Sequence, residues 1–227
     1  MKKITILTGA GISAESGIPT FRDSGGLWEG YKVEDVATPE GWRRNPEMVL
    51  RFYNERRKGV KKAQPNPAHK ALAELEKKYK VVIITQNIDD LHERAGSTHV
   101  MHLHGEIMKA QSSQNPNIVY LLGDKEINMG DKCEYGSQLR PHVVWFGEAV
   151  PMIERAAFET QNADIFMVIG TSMAVYPAAG LIKYAPENAL KYIIDPKIPG
   201  SLYYENLKLI PQKASIGVKM AVDELLK

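Results

Sequence analysis

The stretch Leu7-Thr8-Gly9-Ala10-Gly11-Ile12-Ser13 lies near the N-terminus and begins with the last residue of a short apolar run at residues 4–7. The apolar run predicts a buried parallel strand, and residues 13–15 predict the first turn of a helix. We expect Gly9 to permit a tight turn between them, and Gly11 to let a ligand approach the backbone without a Cβ in the way. A strand, a glycine turn and a helix N-terminus together indicate a site for a phosphate or pyrophosphate group.

As a dinucleotide motif, this stretch is imperfect. Ala14 stands at the third fingerprint position, and no acidic residue ends a second strand at the usual distance. On these residues alone, a strand–helix turn packed by small side chains remains an equal alternative. The next segment, residues 17–28, is rich in glycine, proline and serine and carries Arg22. Such a loop could close over a ligand seated on the glycine turn.

Length and composition limit the protein class. The chain has 227 residues, enough for one large domain or for one domain with an added lobe. Its net charge of +2 argues against a strong nucleic-acid footprint, and its single cysteine, Cys133, excludes an intramolecular disulfide. No apolar run approaches membrane-spanning length and no signal peptide is recognisable, so we expect a cytoplasmic protein.

Further apolar runs predict the rest of a parallel sheet. Residues 81–85, 165–169, 192–195 and 207–210 alternate with helical patterns, which is typical of an α/β fold. Residues 143–146 predict one more strand.

A helical segment interrupts this alternation and indicates an inserted lobe. We expect a helix that begins at Asn45 as N-cap and Pro46, and that ends at Gly59 and the turn at Pro65.

Four stretches resemble, in the same order, the motifs of the sirtuins, which are NAD-dependent protein lysine deacylases. The stretches are Gly9-Ala10-Gly11-Ile12-Ser13 with its continuation through Gly17-Ile18-Pro19-Thr20-Phe21-Arg22 to Gly25-Gly26-Leu27-Trp28, then Thr85-Gln86-Asn87-Ile88-Asp89, His102-Leu103-His104-Gly105 and Gly170-Thr171-Ser172. The resemblance covers nearly the whole chain. One such motif would be weak, whereas four in order are specific.

The resemblance implies one sirtuin domain over residues 1–227, with a Rossmann-like parallel α/β sheet and a small inserted lobe. We expect the large lobe to comprise 1–24, 66–107 and 143–227, and the small lobe 25–65 and 108–142. NAD would lie between the lobes and be consumed.

The resemblance also implies the roles of individual residues. His104 would be the general base, a role that suits histidine because its pKa lies near working pH. Asn87 would act beside the ribose. The implied cofactor contacts are Gly9, Ala10, Gly11, Ser13, Glu15, Pro19, Thr20, Phe21, Arg22, Trp28, Gln86, Asn87, Asp89, Gly170, Thr171, Ser172, Asp195, Ala214 and Ser215. Asp195 departs from the family, which often has Asn there. His102 and His104 could also form a two-ligand metal site, but no third ligand is convincing.

Tyr53-x-x-Arg56 resembles the motif of the sirtuin class that prefers acidic acyl groups on lysine. The two residues share one helix face, and a guanidinium fork can bind a terminal carboxylate bidentately. A basic solvated helix face is the alternative. The remaining substrate contacts implied by the resemblance are Val144, Phe146, Gly147, Glu148 and Val175, around a channel for the acyl-lysine. The substrate peptide would add as a strand beside them.

Sirtuins usually carry two cysteine pairs that bind zinc in the small lobe. Here Ser112 stands where a first-pair cysteine is expected, and only Cys133 is left. One thiolate cannot build a tetrahedral site, so we predict no zinc and a lobe held by ordinary packing.

The chemistry implied by the resemblance begins with attack of the acyl oxygen on the ribose carbon of NAD, and nicotinamide leaves. His104 then removes a proton from a ribose hydroxyl, this hydroxyl attacks the resulting imidate, and hydrolysis yields lysine and an O-acyl-ADP-ribose. Acyl-lysine proteins would be the partners, with no nucleic acid or membrane, and a monomer is favoured. A sirtuin-like ADP-ribosyltransferase or NAD hydrolase is the main alternative. A hydride-transfer oxidoreductase and a non-catalytic NAD sensor are two others.

Overall fold

This computed structural model describes residues 1–20, 27–28, 30–198 and 203–227, with 27–28 as backbone alone. In chain order its elements are β1 (Lys3–Thr8), α1 (Ala10–Ala14), β2 (Leu27–Trp28), β3 (Tyr31–Lys32), α2 (Val33–Val36), α3 (Pro39–Arg44), α4 (Pro46–Lys62), α5 (Pro67–Glu74), β4 (Lys80–Thr85), α6 (Leu91–Arg94), β5 (Val100–His102), β6 (Gly105–Ser112), β7 (Val119–Leu121), β8 (Leu139–Val143), α7 (Ile153–Gln161), β9 (Ile165–Ile169), β10 (Leu190–Ile194), β11 (Leu207–Ile210) and α8 (Ala214–Leu226). Two 3₁₀ helices cover Leu75–Lys77 and Ala178–Tyr184.

Six strands form one parallel sheet in the order β11-β10-β9-β1-β4-β5. The chain runs outward from β1 to β4 and β5, then returns to β9 on the other side of β1 and continues to β10 and β11. The strand order therefore reverses between β1 and β9. In open α/β sheets, ligands bind at such a switch point, outside the carboxyl ends of the strands.

Helices cover both faces of this sheet. Ile4 and Ile6 of β1 pack with Leu72 of α5 and Val218 of α8 on one face. Leu7, the neighbour of Ile6, packs on the opposite face with residues of α7 and of the second 3₁₀ helix. This alternation is the period of a strand buried on both sides. The predicted parallel α/β class is confirmed.

Helices α2, α3 and α4 and strands β6, β7 and β8 pack together as a second group of elements. Strands β7, β6 and β8 form an antiparallel sheet, and α4 contributes Phe52 and Tyr53 to a further apolar cluster with Ile107 and Trp145. The lobe boundaries given above stay a prediction. No helix in the described part of the chain is long and apolar enough to cross a bilayer.

Three predicted element bounds were wrong. Helix α1 begins at Ala10, directly after Gly9 as N-cap, and ends at Ala14. Helix α4 begins with Asn45 as N-cap, as predicted, but continues through Gly59 to Lys62. A helical glycine costs only about 1 kcal/mol relative to alanine, and burial of neighbouring Val60 in the core offsets that cost.

The strand predicted at residues 143–146 is instead β8, which ends at Val143. Beyond it the backbone finds other partners, because the Val144 N–H donates to the His104 carbonyl and the Phe146 N–H to the Ala37 carbonyl. This departure from the strand turns residues 144–148 toward the edge of the main sheet.

Two buried histidines contact each other edge to face near the strand ends. The rings of His69 and His92 lie 4.9 Å apart, edge to face, and His92 Nε2 is 3.1 Å from Thr8 Oγ1. His69 Nδ1 accepts the Asn66 N–H, which caps α5. Burial lowers the pKa of His69 to about 4 and that of His92 well below its ordinary value. Both rings are therefore neutral in the folded protein at neutral pH.

Acid is expected to destabilise the protein through this pair. The unfolded chain binds a proton at each histidine near pH 6.5, whereas the folded state resists it until lower pH, so the free energy of unfolding falls as pH drops below 6.5. His69 alone accounts for about 2 kcal/mol between pH 7.5 and pH 5. His69→Gln keeps a capping group without a titrating ring, so its urea midpoint should lose less over this interval. Equal losses in the variant and the wild type would contradict this assignment.

Candidate active site

A cavity of about 780 Å³ opens at the carboxyl ends of β1, β4, β9 and β10. The predicted cofactor contacts that line it are Gly9, Ala10, Gly11, Ser13, Glu15, Pro19, Thr20, Gln86, Asn87, Asp89, Gly170, Thr171, Ser172, Asp195 and Ala214. The predicted substrate contacts Tyr53, Arg56, Val144, Phe146, Gly147, Glu148 and Val175 line the same cavity, as does His104. Motifs far apart in sequence therefore meet in one place.

Some predicted contacts lie elsewhere. Ser215 does not line the cavity; its N–H and hydroxyl donate to the Glu15 carboxylate at 2.9 and 2.8 Å. Glu15 thus ties α1 to the first turn of α8. Phe21, Arg22 and the side chain of Trp28 lie outside the described residues, as do residues 21–26 of the loop that was expected to close over a ligand.

The glycines of the first loop allow a close approach between two protein loops. Gly9 has an extended backbone with φ −125°, so the expected tight turn is not formed there. A Cβ on Gly9 would lie 2.7 Å from Thr171 Cβ, and one on Gly11 would lie 2.7 Å from the Gly170 Cα. Gly170 itself has φ +60°. The loops after β1 and β9 therefore interlock at the switch point, and together form the floor of the cavity.

Asn87 is fixed by hydrogen bonds at its backbone and its side chain. Its N–H donates to Thr85 Oγ1 at 3.0 Å, and its carbonyl accepts from His102 Nδ1 at 2.9 Å. Its Nδ2 donates to the Gly9 carbonyl and to Ser13 Oγ, at 3.2 and 3.0 Å. Both amide hydrogens are used in this way, so Oδ1 remains as the acceptor of this side chain.

Asp89 lies next to Asn87 and is 4% exposed. Its carboxylate accepts from Ser13 Oγ at 3.0 Å and from the Leu91 N–H at 3.2 Å. Burial raises the pKa of Asp89, and these two donors oppose that rise. Ser13 therefore links the side chains of Asn87 and Asp89 into one rigid group.

His104 has the geometry of a base. Its Nδ1 lies 2.9 Å from the Gln86 carbonyl, which can only accept, so Nδ1 carries the proton and Nε2 has a lone pair. Burial lowers the pKa of His104, and the ring is neutral at neutral pH. Its neutral state and its tautomer both suit removal of a proton from a substrate hydroxyl.

His102 has a structural environment. Its Nε2 lies 2.8 Å from Glu93 Oε1 while Nδ1 donates to Asn87. Burial opposes its protonation, but Glu93 outweighs burial and raises the pKa of His102. Among the described residues no group of three or more His, Cys, Asp or Glu side chains could hold a metal ion.

One face of α4 lines one end of the cavity. Tyr53 is fully buried and Arg56 is 7% exposed, one turn apart. The Trp145 Nε1–H donates to the Tyr53 hydroxyl at 3.1 Å, and burial raises the pKa of Tyr53 well above its ordinary value. Arg51, Lys58 and Lys62 form the solvated basic face, on which Arg56 does not lie.

Glu148 lines the cavity, but its carboxylate is used within the protein. It pairs bidentately with Arg140, at 2.7 and 2.9 Å, and accepts the Trp145 backbone N–H at 2.8 Å. At the cavity mouth, Phe146 and Tyr176 are exposed by 48% and 68%.

Sequence reasoning missed several lining residues, among them Trp145 and Lys197. The expected strand at residues 143–146 would have pointed Trp145 away from Val144 and Phe146. Lys197 follows Asp195, whose Oδ1 accepts the Lys197 N–H at 2.8 Å. A polar turn after a predicted strand was the available signal for that residue.

The residues at the expected zinc position do not fit zinc. Ser112 Oγ and Ser137 Oγ lie 2.6 Å apart, and Cys133 Sγ lies 3.0 Å from Ser137 Oγ. The three side chains hydrogen-bond to one another, and the chain has a single thiol. Hydroxyl groups do not replace the thiolates of a structural zinc site.

Comparison with known proteins agrees with this geometry. Residues 9–177 match the Sir2 family. A Bacteroides thetaiotaomicron protein named NAD-dependent protein deacylase is 54% identical over 224 residues, covering 96% of each chain. A Helicobacter pylori protein of the same name is 51% identical over 227 residues, covering 100% of this chain and 99% of the relative. The solved structure of a Sir2 homolog–NAD complex has a TM-score of 0.88 at 40% identity, covering 99% of this chain and 90% of that one.

The family match spans most of the chain, the relatives align along nearly their whole length, and the motifs converge on one cavity. The chain therefore belongs to the Sir2 family of NAD-dependent enzymes.

Proposed function

We propose that this enzyme removes succinyl and malonyl groups, and also acetyl groups, from protein lysines, with release of nicotinamide and O-acyl-ADP-ribose. The observation that carries the acidic-acyl preference is the burial of Tyr53 and Arg56 in the cavity that also contains His104. NAD-dependent protein deacylation itself is supported by relatives of that name at 54% and 51% identity.

The residues at the strand ends fit NAD. The loops after β1 and β9 would hold the phosphates. The Asp195 carboxylate would accept a hydrogen bond from a hydroxyl of the adenosine ribose, and Asn87 Oδ1 would accept one from a hydroxyl of the nicotinamide ribose. Asp89 would accept from the nicotinamide amide. NAD supplies the ribose carbon that receives the acyl oxygen, with nicotinamide as the leaving group.

His104 acts on the ribose hydroxyl. Its Nε2 takes the proton, and the Gln86 carbonyl stabilises the imidazolium that forms through the Nδ1–H. The ring needs no proton loss beforehand, because burial keeps it neutral.

Arg56 and Tyr53 select the acyl group. A guanidinium binds a carboxylate through two parallel hydrogen bonds, and the phenol adds a third donor. An acetyl group has no oxygen at that position, so it leaves the desolvated guanidinium without this partner and binds less well.

Product analysis tests the reaction type. With NAD and a succinyl-lysine peptide, we expect nicotinamide and O-succinyl-ADP-ribose in equal amounts, and no reaction with the unmodified peptide. Nicotinamide release without peptide, with free ADP-ribose, would identify an NAD hydrolase. Transfer of labelled ADP-ribose onto the peptide would identify a transferase. Either of these results would overturn the proposal.

Other features of the protein stay predictions. These are a cytoplasmic location, a monomeric state and the lack of binding to nucleic acid or membrane. The cavity opens next to exposed Phe146 and Val175, and these side chains would contact the stem and backbone of a protein substrate.

A further inference from the structure

Trp145 is held on several sides beside the end of the cavity that α4 lines. Its backbone N–H donates to Glu148 Oε2 at 2.8 Å, and the Arg140 guanidinium lies 3.6 Å from the centre of its ring. Arg140 is fixed in turn by its bidentate pairing with Glu148. The indole is 2% exposed. It therefore has little freedom to move.

The hydrogen bond from Trp145 determines how the Tyr53 hydroxyl can be used. An indole N–H can only donate, so the phenol oxygen must be the acceptor of the 3.1 Å contact. The single phenolic proton then points to a different acceptor. Burial raises the pKa of Tyr53, so this proton is retained at working pH. A carboxylate offers acceptors only, so the contact leaves Tyr53 oriented as a donor to an acidic acyl group.

The charges around Trp145 agree with this role. Glu148 neutralises Arg140, whose Nη2 also donates to the Val143 carbonyl at 2.8 Å. The cation of Arg140 is thus engaged within the protein. The positive charges of Arg56, one turn along α4, and of Arg140 both act on Tyr53, and the negative charge of Glu148 opposes them.

We propose that Trp145 is a specificity-determining positioning residue, which orients the Tyr53 hydroxyl as a donor to the carboxylate of the acyl group. The inference rests on the proposed acidic-acyl preference. Trp145, together with the Arg140–Glu148 pair that holds it, then contributes part of the discrimination between succinyl and acetyl substrates.

The test is a double-mutant cycle of Trp145→Phe and Tyr53→Phe. The readout is the ratio of kcat/KM for succinyl-lysine over acetyl-lysine in one peptide sequence, which cancels general damage. Trp145→Phe keeps an aromatic ring below Arg140 but loses the N–H. We expect the ratio to fall about tenfold, which is typical of a weakened hydrogen bond to a charged group. In the Tyr53→Phe background, Trp145→Phe should cause no further fall.

Two further variants complete the design. Trp42→Phe removes the N–H of the neighbouring indole, 5.7 Å from Trp145, and should leave the ratio unchanged. Arg140→Lys loses the bidentate pairing and should lower the ratio in the same direction as Trp145→Phe, which gives an independent test if the latter folds poorly.

The outcomes separate this inference from the proposed function. A wild-type enzyme without succinyl preference would overturn both. A wild-type preference that is unchanged in Trp145→Phe, or that falls equally in the Tyr53→Phe background, would overturn the role of Trp145 alone.

Discussion

Replacing His104 with Ala is expected to lower kcat for deacylation about a thousandfold, the middle of the range for loss of a general base. The side chain is the cavity residue that combines a neutral ring with an Nδ1–H fixed on the Gln86 carbonyl. The thermal midpoint of the variant should stay within a few degrees of the wild-type value, because the substitution removes only one hydrogen bond, at a partly open site. Steady-state kinetics with a succinyl-lysine peptide measure the effect.

His99→Gln is the matched control. His99 is exposed, and its ring contacts the neighbouring Thr98 hydroxyl. We expect wild-type kcat. A loss of less than tenfold in His104→Ala, or an equal loss in both variants, would remove His104 from the role of base.

The pH profile gives a second view of His104. A protonated ring cannot accept a proton, so kcat must fall at acid pH. Because burial lowers the pKa of His104, the acid limb should lie below the ordinary histidine value of 6.5.

Replacing Arg56 with Met is expected to lower kcat/KM for a succinyl-lysine peptide by about a hundredfold or more, with a much smaller effect on the acetyl peptide. The variant leaves a buried succinyl carboxylate without its cation, and an uncompensated buried charge costs several kcal/mol. The acetyl group makes no such contact. Arg56→Lys keeps a charge but not the planar fork, so its succinyl activity should be intermediate.

Arg51→Met is the control for this experiment. Arg51 lies on the same helix but is exposed to solvent. Its removal changes the net charge equally and should leave the selectivity unchanged. If Arg56→Met affects both peptides to the same degree, Arg56 has a structural role and the acidic-acyl preference has another origin.

Local patterns in the sequence were sufficient for much of the fold. The continuous apolar runs at β1, β4 and β9 identify strands buried on both faces, and Asn45-Pro46 identifies the start of α4. The site residues were predicted by family resemblance. Most of the described ones line one cavity, and those that follow β1, β4, β9 and β10 do so because the carboxyl ends of parallel strands meet at one edge of the sheet.

Contacts between distant residues could not be predicted in this way. Trp145 and Tyr53 are 92 residues apart, and Glu15 and Ser215 are 200 residues apart. Neither pair has a local sequence signal, because each depends on how the elements pack. The same limit explains the end of β8 at Val143, where backbone groups of other segments replace the strand partners.

Gly9 shows how a correct residue can be predicted for an incomplete reason. A glycine turn was expected because glycine adopts unusual backbone angles. The structure needs glycine there because Thr171 leaves no room for a Cβ. The sequence around Gly9 does not show that the loop carrying Thr171 packs against it, so this reason could not be predicted.

The most direct test of the acidic-acyl preference is a competition between two peptides of one sequence, carrying succinyl-lysine and acetyl-lysine at equal concentration, with wild-type enzyme and NAD. Mass spectrometry follows both peptides and the ADP-ribose products. We predict that the succinyl peptide is consumed first, with O-succinyl-ADP-ribose formed in equal amount to nicotinamide. Consumption of the acetyl peptide first, or of both at the same rate, would contradict it.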